Sequence, residues 1–117
     1  MAVPKYMITG SYTKESWASM VEAPEDREVQ ARRIAENVGG RLECFYWAFG
    51  PDDFVAIADL PDDEAAGASS LAVSSSGAAT GVRTVKLITT REGQAMLRKA
   101  KQAASGFAKP GSAAVSR

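Results

Sequence analysis

Two apolar runs, Leu42 to Phe49 and Phe54 to Leu60, meet at Gly50-Pro51-Asp52-Asp53. Pro presets φ at the second position of a turn and Asp bonds its own backbone nearby, so the segment reads as a β-hairpin with a four-residue loop. Phe45, Trp47 and Phe49 fall on one face of the first strand, and Leu42, Cys44, Tyr46 and Ala48 on the other. A half-solvated antiparallel strand alternates apolar with polar. A strand apolar on both faces needs two covers: the chain's own helices can supply one, and a second sheet the other. With Phe49 set opposite Phe54, Trp47 stands opposite Ala56, Phe45 opposite Ala58 and Tyr46 opposite Ile57. Phe45, Trp47, Phe49 and Phe54 are then the expected interface between subunits, because a soluble monomer rarely exposes so large an apolar patch.

Either side of the hairpin the pattern changes period. Lys5 to Tyr12 alternates as a strand and stops at the helix-start signal Thr13-Lys14-Glu15-Ser16. A helix interrupted by Pro24 follows, its second piece opened by that proline with Glu25 and Asp26 in the first turn. In that piece Ala31, Ile34, Ala35 and Val38 share one face, Glu28 and Arg32 are placed to pair, and Gly39-Gly40 is the stop. After the hairpin, Pro61-Asp62-Asp63-Glu64 opens a helix of almost uniformly small residues that runs to about Ser76. Such a helix can approach a sheet closely. Thr80 to Ile88 alternates as a last strand, and Thr89 with Glu92 has capping-box spacing for a further helix to about Ala104.

The order β-α-β-β-α-β plus a terminal helix is the split βαβ arrangement of ferredoxin-like α+β folds. It predicts a four-stranded antiparallel sheet in the order 4-1-3-2, with the helices on one face and the other face bare. Residues 1–104 read as a single domain and 105–117 as a flexible C-terminal tail.

Composition narrows the chemistry. With 117 residues the chain suits one domain. Fourteen basic and fourteen acidic side chains cancel, so no global field draws it to nucleic acid or to a membrane surface. The N-terminus lacks a sustained apolar segment and no window approaches a membrane span, so the chain is read as soluble and cytoplasmic. The single Cys44 cannot form an internal disulfide and reads as a small buried hydrophobe rather than a reactive thiol. Histidine is absent altogether. That excludes Ser-His and Cys-His nucleophilic catalysis and makes an ordinary zinc or haem site hard to assemble. A carboxylate-only Mg²⁺ or Ca²⁺ site from Asp52, Asp53, Asp62, Asp63 and Glu64 is conceivable, but turn and helix-start chemistry accounts for these acids. Neither a metal nor a cofactor is expected.

The candidates for chemistry are Tyr6, Tyr12 and Tyr46 on strands one and two, with Asp53 and Arg83 as polar partners. A buried phenol must find a hydrogen-bond partner, and a guanidinium on a half-buried strand wants a carboxylate or an anionic ligand. If a ligand site exists, the small-residue helix is expected to leave room for it over the sheet, beside Tyr46, Cys44 and Ile57.

Several segments carry a resemblance in this order and spacing: Tyr6-Met7-Ile8-Thr9-Gly10-Ser11-Tyr12-Thr13, Gly39-Gly40, Phe45-Tyr46-Trp47-Ala48-Phe49-Gly50 with Asp53, Pro61-Asp62, and Val82-Arg83-Thr84. The chain resembles the GYD domain proteins of bacteria, small members of the dimeric α/β-barrel superfamily. The Gly-Tyr-Asp signature falls on Gly50 and Asp53, but Asp52 stands where the family's tyrosine would precede the acid. The resemblance implies a ferredoxin-like fold and a homodimer or higher homo-oligomer, without implying one reaction. Two functions follow as expectations. The first is a small-molecule binding or assembly module with a small apolar ligand. The alternative is a cofactor-free monooxygenase or isomerase acting on an aromatic or polyketide-like compound, with Tyr46 or Tyr12 as proton donor, Asp53 or Asp59 as base and Arg83 holding an enolate or carboxylate.

Overall fold

Every helix begins where a short polar side chain meets an orphan backbone N–H, a contact that stabilises a helix by about 1 kcal/mol. Thr13 Oγ1 accepts from the Ser16 N–H at 3.2 Å and opens α1 (Lys14–Glu22). Asp26 accepts from Glu28 N–H at 3.0 Å and opens α2 (Arg27–Asn37). Pro24 therefore ends the first helix but does not start the second. Asp26 is extended and acts as the cap, which leaves Glu25 and Asp26 outside the first turn where the sequence pattern put them. Asp62 caps α3 (Asp63–Ser75) through Ala65 N–H at 2.9 Å.

The computed structural model describes residues 3–112, which form two units divided between Leu87 and Ile88. In the first, β1 (Lys5–Tyr12), β2 (Arg41–Trp47), β3 (Phe54–Asp59) and β4 (Ala79–Leu87) pair antiparallel in the order β2-β3-β1-β4. Read from the other edge this is 4-1-3-2, the ferredoxin-like α+β sheet. Taken by itself, the second unit holds α4 (Thr90–Ala103), opened by a full capping box between Thr89 and Glu92. No residue of α4 is buried, and Met96 and Leu97 are exposed. Of the tail expected over 105–117, residues 113–117 lie outside the described residues, as do Met1 and Ala2. Among the described residues no helix is long and apolar enough to cross a membrane.

The hairpin register corrects the expected one. Trp47 stands opposite Phe54, Tyr46 opposite Val55, Phe45 opposite Ala56 and Cys44 opposite Ile57. The strands separate sooner than the turn residues indicate because Asp53 is drawn across to β1. Its N–H donates to Gly10 C=O at 2.8 Å and its carboxylate accepts from Tyr12 N–H at 2.9 Å, while Ala48 N–H closes the six-residue loop on the Asp53 carbonyl at 2.9 Å. Phe49, left in that loop, is fully exposed. Further down, Glu43 has no partner on β3: Leu42 pairs with Ala58 and Cys44 with Ile57. This bulge puts Leu42 on the face of Phe45 rather than with Cys44 and Tyr46. A second irregularity lies between Thr9 and Ser11 in the β1–β4 ladder, where Gly81 has φ +61°.

Residues directly opposite each other share a face, so the register also assigns the faces. Tyr6, Ile8, Gly10, Phe45, Trp47, Phe54, Ala56 and Ala58 lie on the side covered by α1, α2 and α3. Lys5, Met7, Thr9, Cys44, Tyr46, Val55, Ile57, Arg83 and Val85 lie on the side that no helix of this unit covers. The sequence pattern had these faces reversed: Phe54 and Phe45 belong to the unit's own interior, Trp47 lies on the same helix-covered side but stays 49% exposed, and Tyr46, 67% exposed, belongs to the open face. The reason is spatial. Gly10 opposite Phe54 and the alanines of β3 leave room on the helix side for large rings.

Candidate functional site

On the covered face α2 packs against β2 and α3 against β4, so the two middle strands are roofed mainly by the space between the helices. Several residues lining that space are small: Ala31 and Ala35 from α2, Ser69 from α3, Ala56 and Ala58 from β3. A cavity of about 90 Å³ results. Its walls are apolar, with Ile8, Ile34, Phe45, Ala56 and Val73 among them, and Tyr12, Arg27, Gln30 and Ser69 are its polar members. Tyr46, Cys44 and Ile57, expected to border such room, are on the opposite face of the sheet.

Tyr12 lies at the centre of an aromatic cluster beside the cavity. Trp17 and Trp47 meet its ring edge-on at centroid distances of 5.0 and 5.8 Å, Phe54 lies tilted at 5.2 Å, and the two indoles meet each other at 5.2 Å. Such pairs each contribute about 0.5–1.5 kcal/mol beyond the area they bury. The Trp47 indole N–H donates to the Tyr12 hydroxyl oxygen at 3.0 Å. Burial raises the Tyr12 phenol above its usual range, while the Trp47 N–H bond and the positive charge of Arg27 pull against the rise. A second, open cleft shares Tyr12, Arg27 and Ala78 with the cavity, so these residues form a rim between the two.

The other candidates are dispersed. Tyr6, 2% exposed, donates to Asp63 at the start of α3 and carries the Lys86 ammonium 5.9 Å from its ring centroid. Asp53 is engaged with the backbone of β1. Arg83 donates to Asp52, the residue at the signature's tyrosine position, on the open face. Asp59 accepts from Lys5 at 2.7 Å and from Arg41 at 3.5 Å, and the first of these bonds is the main cause that holds its carboxyl below the usual range. Thus Tyr46 or Tyr12 as acid, Asp53 or Asp59 as base and Arg83 as anion holder do not converge on one space. Among the described residues no group of three or more acids and cysteine is placed to hold a metal ion. Arg27 and Gln30 were not singled out from the sequence, although a signal existed. Both fall on the stripe of Ala31, Ile34 and Val38, which puts a cation and a carboxamide at one end of an apolar face.

The Tyr6–Asp63 bond makes a pH prediction. Asp63's hydrogen bond, then burial, push the Tyr6 phenol up to about 12, and the Tyr6 and Lys86 donors hold the Asp63 carboxyl below its usual range. The unfolded chain releases the phenol proton near 10. The folded chain keeps it, so this contribution is complete below pH about 10 and is lost as pH rises towards about 12. Asp63 acts at the other end: its contribution is present above the ordinary carboxylate range and lost as pH falls through its depressed value. Urea midpoints measured across pH should show both losses, and Tyr6→Phe should remove the alkaline one and shrink the acid one. An alkaline loss that persists in Tyr6→Phe would assign it to another group.

Two comparisons with known proteins returned nothing: no curated protein and no solved structure matches the chain. A family model, described as the GYD domain, matches residues 6–97.

Proposed function

The chain belongs to the GYD domain family, and from that premise we propose that it is a small-molecule binding module that assembles as a homodimer through the open face of its sheet. The observation that carries the binding half is the apolar cavity of about 90 Å³ with few polar groups in its lining, Tyr12, Arg27, Gln30 and Ser69, the usual composition of a small-molecule site. Catalysis is the weaker reading, because the acid, base and cation it would require are spread over both faces of the sheet.

The pairing half is supported by the open face itself. Its centre is apolar, with Met7, Cys44, Val55, Ile57 and Val85 around Tyr46. One end carries Lys5, Glu43, Asp59 and Arg41 in a linked set of ion pairs, and Asp52 with Arg83 stands apart from that set. An apolar centre with charged groups outside it is the usual anatomy of a protein interface. We place the module in the cytoplasm, where a lone half-buried Cys44 stays reduced.

An NMR shift screen with small apolar compounds tests the binding half. Compounds that bind should move signals of Ile8, Ile34 and Val73, and Ala56→Leu, which puts three more carbons into the cavity, should abolish the shifts in a folded protein. Shifts unchanged by Ala56→Leu would place binding elsewhere. Light scattering at micromolar concentration tests the pairing half. A dimer mass that falls to the monomer in Tyr46→Glu is expected, since that change buries an unpaired charge in the contact; a wild-type monomer would overturn the pairing.

A further inference from the structure

The polar rim of the cavity is made of donors. Ser69 is a separate case, since its hydroxyl donates to the Ala65 carbonyl at 2.9 Å within α3. Arg27 and Gln30, three residues apart on α2, project from one face of the helix. Arg27 gives one nitrogen to Glu25 in a long, exposed contact of 3.4 Å. A guanidinium has five N–H groups, so this leaves donors unspent. Gln30 accepts from Arg33 at 3.4 Å through its carboxamide oxygen, and its NH₂ has no acceptor among the described residues. Tyr12 receives a hydrogen bond on its oxygen from Trp47, and its own O–H likewise has no acceptor among the described residues.

We propose that Tyr12, Arg27 and Gln30 form a carboxylate site at the mouth of the cavity, and that the ligand is a short-chain monocarboxylate with its chain in the apolar interior. Three donors around one opening are matched by a group that only accepts, and a carboxylate does so with two oxygens and with charge opposite to Arg27. Glu25 is held to Arg27 only at 3.4 Å and in solvent, so the ligand can take its place on the guanidinium. The cavity sets the chain length. A dry cavity of about 150 Å³ admits a benzene ring, so 90 Å³ accommodates about four carbons beyond the carboxylate. Longer chains and rings are excluded unless α2 and α3 move apart.

The inference rests on the cavity being a ligand site, and the experiment separates the two. Pentanoate and pentan-1-ol, matched in chain, are titrated into the full-length protein by calorimetry, with Arg27→Gln, Gln30→Leu and Ala56→Leu as variants and circular dichroism to confirm their folding. Pentanoate should bind more tightly than the alcohol. Its affinity should fall about tenfold or more in Arg27→Gln and less in Gln30→Leu, as expected for loss of a charge-assisted and of a neutral hydrogen bond. Ala56→Leu should abolish binding of both. Pentanol binding as tightly as pentanoate, with Arg27→Gln affecting neither, would overturn the carboxylate site and leave the cavity a ligand site of another kind. Neither compound binding, or pentanoate binding untouched by Ala56→Leu, would overturn the inference together with the cavity reading.

Discussion

Phe54→Ala is expected to destabilise the chain by about 3–5 kcal/mol, the range for deleting a buried aromatic side chain that its surroundings cannot refill. Phe54 is 6% exposed, stacks on Phe45 at a centroid distance of 6.0 Å and touches Tyr12 at 5.2 Å. It also extends under β1, where the backbone makes room for it. A Cβ at Gly10 would stand 2.9 Å from Phe54 Cζ and 3.2 Å from Val82 Cγ2. Gly10→Ala should therefore cost about 1–3 kcal/mol by overpacking, since the buried ring must shift to admit the methyl group. The two residues form one fitted pair, so their changes are not independent. Gly10→Ala made in a Phe54→Leu background should lose most of its penalty, and the double-mutant cycle from urea denaturation should give a coupling above about 0.5 kcal/mol. Additive costs would mean that the ring does not fill the space above Gly10.

Gly40→Ala should be the other severe change, at about 3 kcal/mol or more and a fall in Tm of about 10 °C or more. Here the obstacle is main chain. A Cβ at this position would lie 2.4 Å from the Asp59 carbonyl oxygen, 2.6 Å from Leu60 Cδ2 and 3.2 Å from Leu60 Cα. Leu60 is 1% exposed and its N–H donates to Pro4 C=O at 3.0 Å, so neither its side chain nor its backbone can yield cheaply. The adjacent Gly39 is required for a different reason, a φ of +85° that ends α2 in the left-handed region. Gly67 serves as the control. It lies inside α3 with open space around it, so Gly67→Ala should raise stability by up to about 1 kcal/mol. Thermal melts of the two alanine variants should move in opposite directions, and a tolerated Gly40→Ala would show that β2 can start further from β3.

Much of this architecture is legible along the chain because it is written in local chemistry. Thr13, Asp62 and the Thr89–Glu92 pair cap helices at the positions their spacing indicates, Gly39 stops α2, and the element order gives the strand order. The faces of β2 are not legible in the same way. A strand apolar on both sides lacks the polar row that would orient it, and what decides is Gly10, remote in sequence, opposite Phe54. The loop length failed for a similar reason. Gly50-Pro51-Asp52-Asp53 has turn chemistry, but Asp53 is spent on the backbone of β1 and the strands separate before the turn begins. The candidate site was half visible. The small residues of α3 announced room above the sheet, whereas Arg27 reaches the rim only because Asp26 caps α2, a choice between Pro24 and Asp26 that local propensity does not settle.

The unpaired Glu43 bears on how this chain can change over generations. Its side chain bonds Lys5 in solvent, and its identity matters little to the interior. As the one extra residue of β2 it is what lets Leu42 and Phe45, three positions apart, face the same interior. Losing its codon leaves them two apart, the spacing of a regular strand, so Leu42 and Phe45 keep their face and their partners Ala58 and Ala56 while the bulge disappears. An added codon instead has to be taken up by a larger bulge or by sliding Phe45 and Trp47 along β3. In a library of variants this exposed site should therefore accept many letters and a one-residue deletion, and purge insertions.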